Sequence, residues 1–117
     1  MSNGSDAELM RSAAVQRWLA HTGYESEAGR QRCLELLGGF CEETGQAPEE
    51  LVASCFRITK DGDRKISIKG RRAMQEAIES FIAQRGETGR AAVAAGNMLR
   101  SFLIHNGVFM QGRASID

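Results

Sequence analysis

The stretch GRAAVAAGNMLRSFLIHNGV, residues 89–108, decides how the chain is read. Ala95, Met98, Leu99, Phe102 and Leu103 recur at the spacing of one helical face, which predicts a helix with a wide apolar stripe. At 100° per residue, Arg90, Asn97 and Ser101 fall on one line opposite that stripe, and Arg100 flanks them. Such a face is either ordinary solvated surface or a surface that meets a partner. Asn106-Gly107 closes the helix. Val108, Phe109 and Met110 leave it as a short apolar strand or contact.

Working outward, the preceding helix is expected from about Gly70 to Arg85. Met74, Ala77, Ile78, Phe81 and Ile82 form its buried face, and Thr88 is placed to cap the last helix. Between Arg57 and Lys69, Asp61-Gly62 signals a turn, and Ile66 and Ile68 alternate with polar residues. Residues 57–69 are therefore a small β-hairpin or a loop. Pro48 suits the first turn of a short helix reaching about Cys55 or Phe56, because its missing N–H has no partner there anyway.

A second helix opens at Ser26, an N-cap residue, and runs to about Thr44. Its core face is Cys33, Leu36, Leu37, Phe40 and Cys41. Gly38-Gly39 in its interior costs roughly 1 kcal/mol each relative to Ala. That cost implies close approach, either of a crossing helix or of a partner's backbone. The first helix is expected over Asp6–Ala20, with Met10, Ala14, Val15, Trp18 and Leu19 inward and His21-Thr22-Gly23 as its end. The sum is an all-α fold, a compact bundle of four to five helices.

Hydrophobic residues make up 42% of the 117, enough for one core and one domain. No apolar run reaches the ~18 residues of a membrane span, and the N-terminus lacks a secretory signal, so a cytoplasmic location is expected. Cys33, Cys41 and Cys55 have no metal-ligand spacing and read as small buried apolar residues. The net charge is zero but divided. Residues 1–58 carry five Arg against nine Asp/Glu, and residues 59–117 carry ten Lys/Arg against six. That division points to one basic surface. Lys60, Arg64, Lys65, Lys69, Arg71 and Arg72 cluster around the 57–69 segment, opposed only by Asp61 and Asp63.

Catalytic patterns are not evident. His21 and His105 sit near helix ends, where a cation favours the dipole. No Ser/His/Asp or Cys/His signature occurs, and Asp61-Gly62-Asp63 lacks the other positions of a calcium loop. Neither a cofactor, a metal nor a small-molecule substrate is expected. Arg and Asn read base edges, and Ser, Lys and Arg hold phosphates. The candidate DNA contacts are Arg90, Asn97, Arg100 and Ser101 on the last helix, Arg30, Gln31 and Arg32 at the start of the second, and Lys65, Lys69, Arg71 and Arg72. Charge reversal at Arg90 and Arg100 is expected to weaken DNA binding and leave helicity intact.

Val15-QRWL at 15–19, Ser26 followed by Leu37 and Phe40, GQAPEEL at 45–51 and LRSFLIHNGV at 99–108 resemble the N-terminal core-binding domain of tyrosine recombinases, the phage-integrase family. Gly29 and Cys33 depart from the Thr and Tyr that the family often has. The resemblance covers roughly residues 13–108, with 1–12 as a tail and start of the first helix and 109–117 as an exit linker. It implies a SAM-like helical bundle forming half of a clamp on double-stranded DNA, with the second and last helices facing the major groove. It also implies that a catalytic domain of the same protein would follow and that other protomers would share the DNA. The catalytic Arg/Lys/His/Arg/Tyr set is not found in this chain, whose single tyrosine is Tyr24, so binding without cleavage is expected. A small helical protein–protein interaction module, with an apolar patch at Ile104, Phe109 and Met110, is the alternative.

Overall fold

A computed structural model describes residues 6–21 and 26–108. Among them are six helices and one two-stranded sheet: α1 Asp6–Met10, α2 Ala13–His21, α3 Glu27–Thr44, α4 Pro48–Ala53, β1 Phe56–Ile58, β2 Arg64–Ile66, α5 Ile68–Gln84 and α6 Gly89–Ile104. The fold is an all-α bundle carrying a small hairpin. No helix of the described residues is long and apolar enough to cross a membrane.

The helix expected over Asp6–Ala20 is broken in two. Ser12 is the reason: its hydroxyl accepts from the Val15 N–H at 3.2 Å and so starts a new helix. Glu49 of α4 completes the cap, accepting from Ser12 Oγ at 2.8 Å and from the Ala14 N–H at 3.1 Å. The break also turns Met10 outward and Leu9 inward, which reverses the expected stripe at that point. Partial burial pushes the Glu49 carboxyl up, but the Ser12 and Ala14 hydrogen bonds outweigh it and hold it below its ordinary value.

α3 begins and ends as expected. Ser26 Oγ accepts from the Gly29 N–H, and Gly45 at φ +70° forms the left-handed C-cap. Of the two interior glycines, Gly39 meets a crossing helix. A Cβ at Gly39 would lie 3.2 Å from the ring of Phe81 on α5, which also packs against Phe40 at 5.4 Å. Pro48 occupies the first turn of α4, and Glu50 reaches back to the Ala47 N–H at 2.7 Å. Thr88 stands at the N-cap position of α6 but makes no side-chain cap bond, unlike the expectation.

The core joins all layers. Trp18, Leu37, Phe40, Leu51, Ile78, Leu99, Phe102 and Leu103 are buried together. Trp18 meets Phe102 edge to face at 5.4 Å. All three cysteines are free and fully buried. Burial pushes each thiol up; for Cys41, burial and then the charges of Glu42 and Glu49 raise it to about 12. These thiols stay protonated and unreactive at neutral pH.

At the chain's last described turn, Asn106 is buried. It donates to the carbonyls of Ala14 and Phe102 and accepts from Arg17, which locks α6 to α2. Val108 is buried; Phe109, Met110, Tyr24 and Thr22-Gly23 lie outside the described residues.

Candidate functional site

The line of polar residues on α6 does not form a surface. Arg100 is 2% exposed, the second-largest of the fully buried side chains. Its Nε donates to Gln75 Oε1 at 3.1 Å and its Nη1 to Asn97 Oδ1 at 3.0 Å. Ser101 Oγ accepts from Trp18 Nε1 at 3.2 Å. Asn97 and Ser101 are each half-buried, and both serve the packing of α6. The physical reason is that α6 is covered on more than one side, by α5 and by α2 and α3. The side opposite the apolar stripe is therefore partly a seam with α5. Gly96 makes the burial feasible, since a Cβ there would fall 2.9 Å from Arg100 Nη1. Arg90 alone of this group is exposed.

The hairpin holds the contiguous cations. Phe56 pairs with Ile66, Arg57 with Lys65 and Ile58 with Arg64 in antiparallel register. Side chains alternate across a strand, so directly paired residues share a face. Arg57 and Lys65 thus project together from one face, and both are exposed. On the other face the Arg64 guanidinium lies 3.7 Å over the Phe56 ring, an arrangement that braces the hairpin. The turn uses Gly62 at φ +86°, with the Thr59 N–H donating to the Asp63 carbonyl at 2.8 Å.

α5 follows β2 directly, so the hairpin and the helix start form one strip. Ser67 Oγ caps α5 by accepting from the Gly70 N–H at 2.9 Å, and the Ser67 N–H donates to the Cys55 carbonyl. Gly70 is required there: a Cβ would sit 2.2 Å from the Ser54 carbonyl oxygen. Lys69 and Arg72 are exposed and Arg71 is half-buried. Residues 56–72 thus bring together seven Lys/Arg with only Asp61 and Asp63 against them, both at the hairpin tip.

The other candidates lie apart from this strip. α5 has 17 residues, about 25 Å of helix, and α6 returns antiparallel to it after the 85–88 turn. Arg90 therefore stands at the far end from Lys69. Arg30 and Arg32 are exposed on the first turns of α3, and Gln31 donates to Glu35 at 3.5 Å on the same helix.

Arg57 and Arg64 carry the hairpin surface but were missed as individual site residues in the sequence. The signal that finds them is strand alternation applied to both sides of Asp61-Gly62. The two histidines end α2 and α6 as expected and stack on each other at 5.9 Å. Each Nδ1 lies within hydrogen-bonding distance of a carbonyl oxygen four residues back. No group of three or more metal-ligating side chains is present among the described residues. The chain matches no protein-family model, no curated protein and no solved structure.

Proposed function

We propose that the chain is a duplex-DNA-binding module of the core-binding type found in tyrosine recombinases, and that it grips DNA with the hairpin and the first turns of α5. The observation that supports this reading is the strip of seven cations over residues 56–72, on a hairpin and helix start joined by the Ser67 cap. Duplex DNA carries a phosphate charge about every 1.7 Å, so a strip of this kind gains affinity from counterion release. A two-stranded ribbon is also narrow enough for the major groove, which is about 12 Å wide. This placement replaces the one expected from the sequence, in which α3 and α6 meet the groove. Arg30, Arg32 and Arg90 then act at most as outlying phosphate contacts.

In this reading the chain binds without cutting. A catalytic domain of the same protein would supply the chemistry, other protomers would share the DNA, and the location is cytoplasmic.

The test is fluorescence anisotropy with a labelled duplex at two salt concentrations. The double variant Arg57→Glu/Lys65→Glu is expected to bind at least about tenfold more weakly. Its log–log salt slope should fall by about 0.9 for each phosphate that is no longer neutralised. Wild-type affinity in that variant, or binding indifferent to salt, rejects the reading. Ile58 and Ile68, 68% and 69% exposed beside the cations, favour a protein partner as the second reading. Association with a protein that persists at high salt and needs no DNA decides for it.

A further inference from the structure

The end of α6 has two structural needs that together create a reactive pair. The turn needs a glycine: Gly107 sits at φ +89°, a left-handed conformation in which a Cβ is strained. The latch to α2 needs an asparagine. Residue 106 donates to the carbonyls of Ala14 at 3.1 Å and Phe102 at 2.8 Å, and it accepts from Arg17 Nη1. An ionised aspartate accepts only and cannot make the first two bonds.

The result is Asn106-Gly107, the one Asn-Gly pair among the described residues. Its chemistry follows from the absent Cβ. Nothing shields the Gly107 amide nitrogen, so once it gives up its proton it can attack Asn106 Cγ. The Cγ–Nδ2 bond breaks and ammonia leaves with the proton. Water then opens the five-membered succinimide at either carbonyl and leaves aspartate or isoaspartate. Water is the only co-reactant.

The folded chain opposes the attack. Asn106 is 8% exposed, and three hydrogen bonds fix its amide. The Gly107 N–H itself donates to the Ile104 carbonyl at 3.1 Å. The side-chain amide must turn toward that nitrogen to react, which breaks its contacts to Ala14, Phe102 and Arg17 together. Gly107 is exposed, so water reaches the pair once the latch opens.

We infer that Asn106-Gly107 is a site of spontaneous deamidation gated by the α2–α6 latch, and that the modification weakens the latch that gates it. The product carboxylate still accepts from Arg17. Toward the Ala14 and Phe102 carbonyls it turns anionic oxygens where the asparagine placed donors. Isoaspartate also adds an atom to the main chain, inside the turn that the Val108 N–H closes on the Leu103 carbonyl at 2.9 Å. A chain that stays open long enough to react therefore closes less well afterwards. This inference does not depend on DNA binding.

The experiment holds the full chain at mildly alkaline pH, folded in buffer and unfolded in urea. Peptide mapping by mass spectrometry follows residue 106, and an isoaspartyl methyltransferase assay counts isoaspartate. Conversion at residue 106 is expected to run at least about tenfold faster in urea than in buffer, because the folded chain reacts only through local opening. Arg17 is exposed, so Arg17→Ala removes one hold without disturbing the core or the reacting pair. Its rate in buffer should rise at least about threefold, with the rate in urea unchanged and circular dichroism still that of the folded chain. Asn106→Asp, which carries the product carboxylate without the added main-chain atom, should lower the urea midpoint. The inference is overturned by equal rates in buffer and urea, or by no conversion at residue 106 in urea. It is likewise overturned if Arg17→Ala reacts in buffer at the wild-type rate, or if Asn106→Asp keeps the wild-type midpoint.

Discussion

Arg100 and Lys65 are both cations in the basic half of the chain, and each was a candidate for the same partner. Arg100 is shut between α5 and α6; Lys65 stands in solvent on β2. What separates them is the number of neighbouring elements. α6 packs against three other helices, so a polar residue beside its apolar stripe finds a helix rather than water. The hairpin has only two strands, and one of its faces turns Arg57 and Lys65 outward. A charge on a crowded helix therefore stabilises the fold, whereas a charge on a sparsely covered ribbon is available to a ligand.

The largest effect that tests this contrast is expected at Arg100. Arg100→Ala leaves Gln75 and Asn97 without their buried donor and opens a void, and together the cavity and the lost hydrogen bonds cost about 2–5 kcal/mol. Urea unfolding monitored by circular dichroism measures it. A midpoint like that of the wild type would show that the guanidinium is dispensable to the seam. Burial of Arg100 also revises the expectation that charge reversal there leaves helicity intact.

Gly70→Ala comes next. Its Cβ would press on the Ser54 carbonyl at 2.2 Å, a backbone clash with little room to relax. Destabilisation of about 1–3 kcal/mol is expected, together with weaker DNA binding as the hairpin shifts against α5. Unchanged thermal unfolding and unchanged anisotropy would break the link between that close approach and the cationic strip.

A smaller effect is expected at Glu49. Its carboxyl is held below the ordinary value when folded, so it stabilises the fold above the unfolded-state pKa of about 4.3. That contribution is lost as pH falls through the lower, folded value. Solvent screening keeps it under about 1 kcal/mol. The difference in urea midpoint between wild type and Glu49→Gln should therefore shrink between pH 7 and pH 3, and a constant difference would remove Glu49 as a titrating cap.

The smallest expected change is at Arg90. Charge reversal there, one α5 length from the strip, should alter DNA affinity by less than about threefold, since exposed charges beyond a Debye length of about 8–10 Å are largely screened. A tenfold loss would return the interface to the start of α6.

Much of the fold was legible because it rests on local chemistry. Ser26, Gly45, Pro48 and Asp61-Gly62 mark helix starts, a helix stop and a turn through the backbone groups they satisfy or the φ they accept. The buried faces of α3, α5 and α6 followed from periodicity. Ser12 carried an equally local signal, and the apolar run on both sides of it obscured the break. The site was less legible. Helical geometry gives the direction of Asn97, Arg100 and Ser101 around α6, but it does not say how many helices lie against that side.

The sequence by itself determined the all-α character, the caps, the core stripes and the gathering of cations around residues 57–69, because each depends on groups a few residues apart. Only the tertiary structure decided that Arg100 is inside, that Arg57 and Lys65 share an outer face, and that Arg90 stands far from both. Burial is set by elements that meet across long sequence distances, and no periodicity within one helix encodes what covers it.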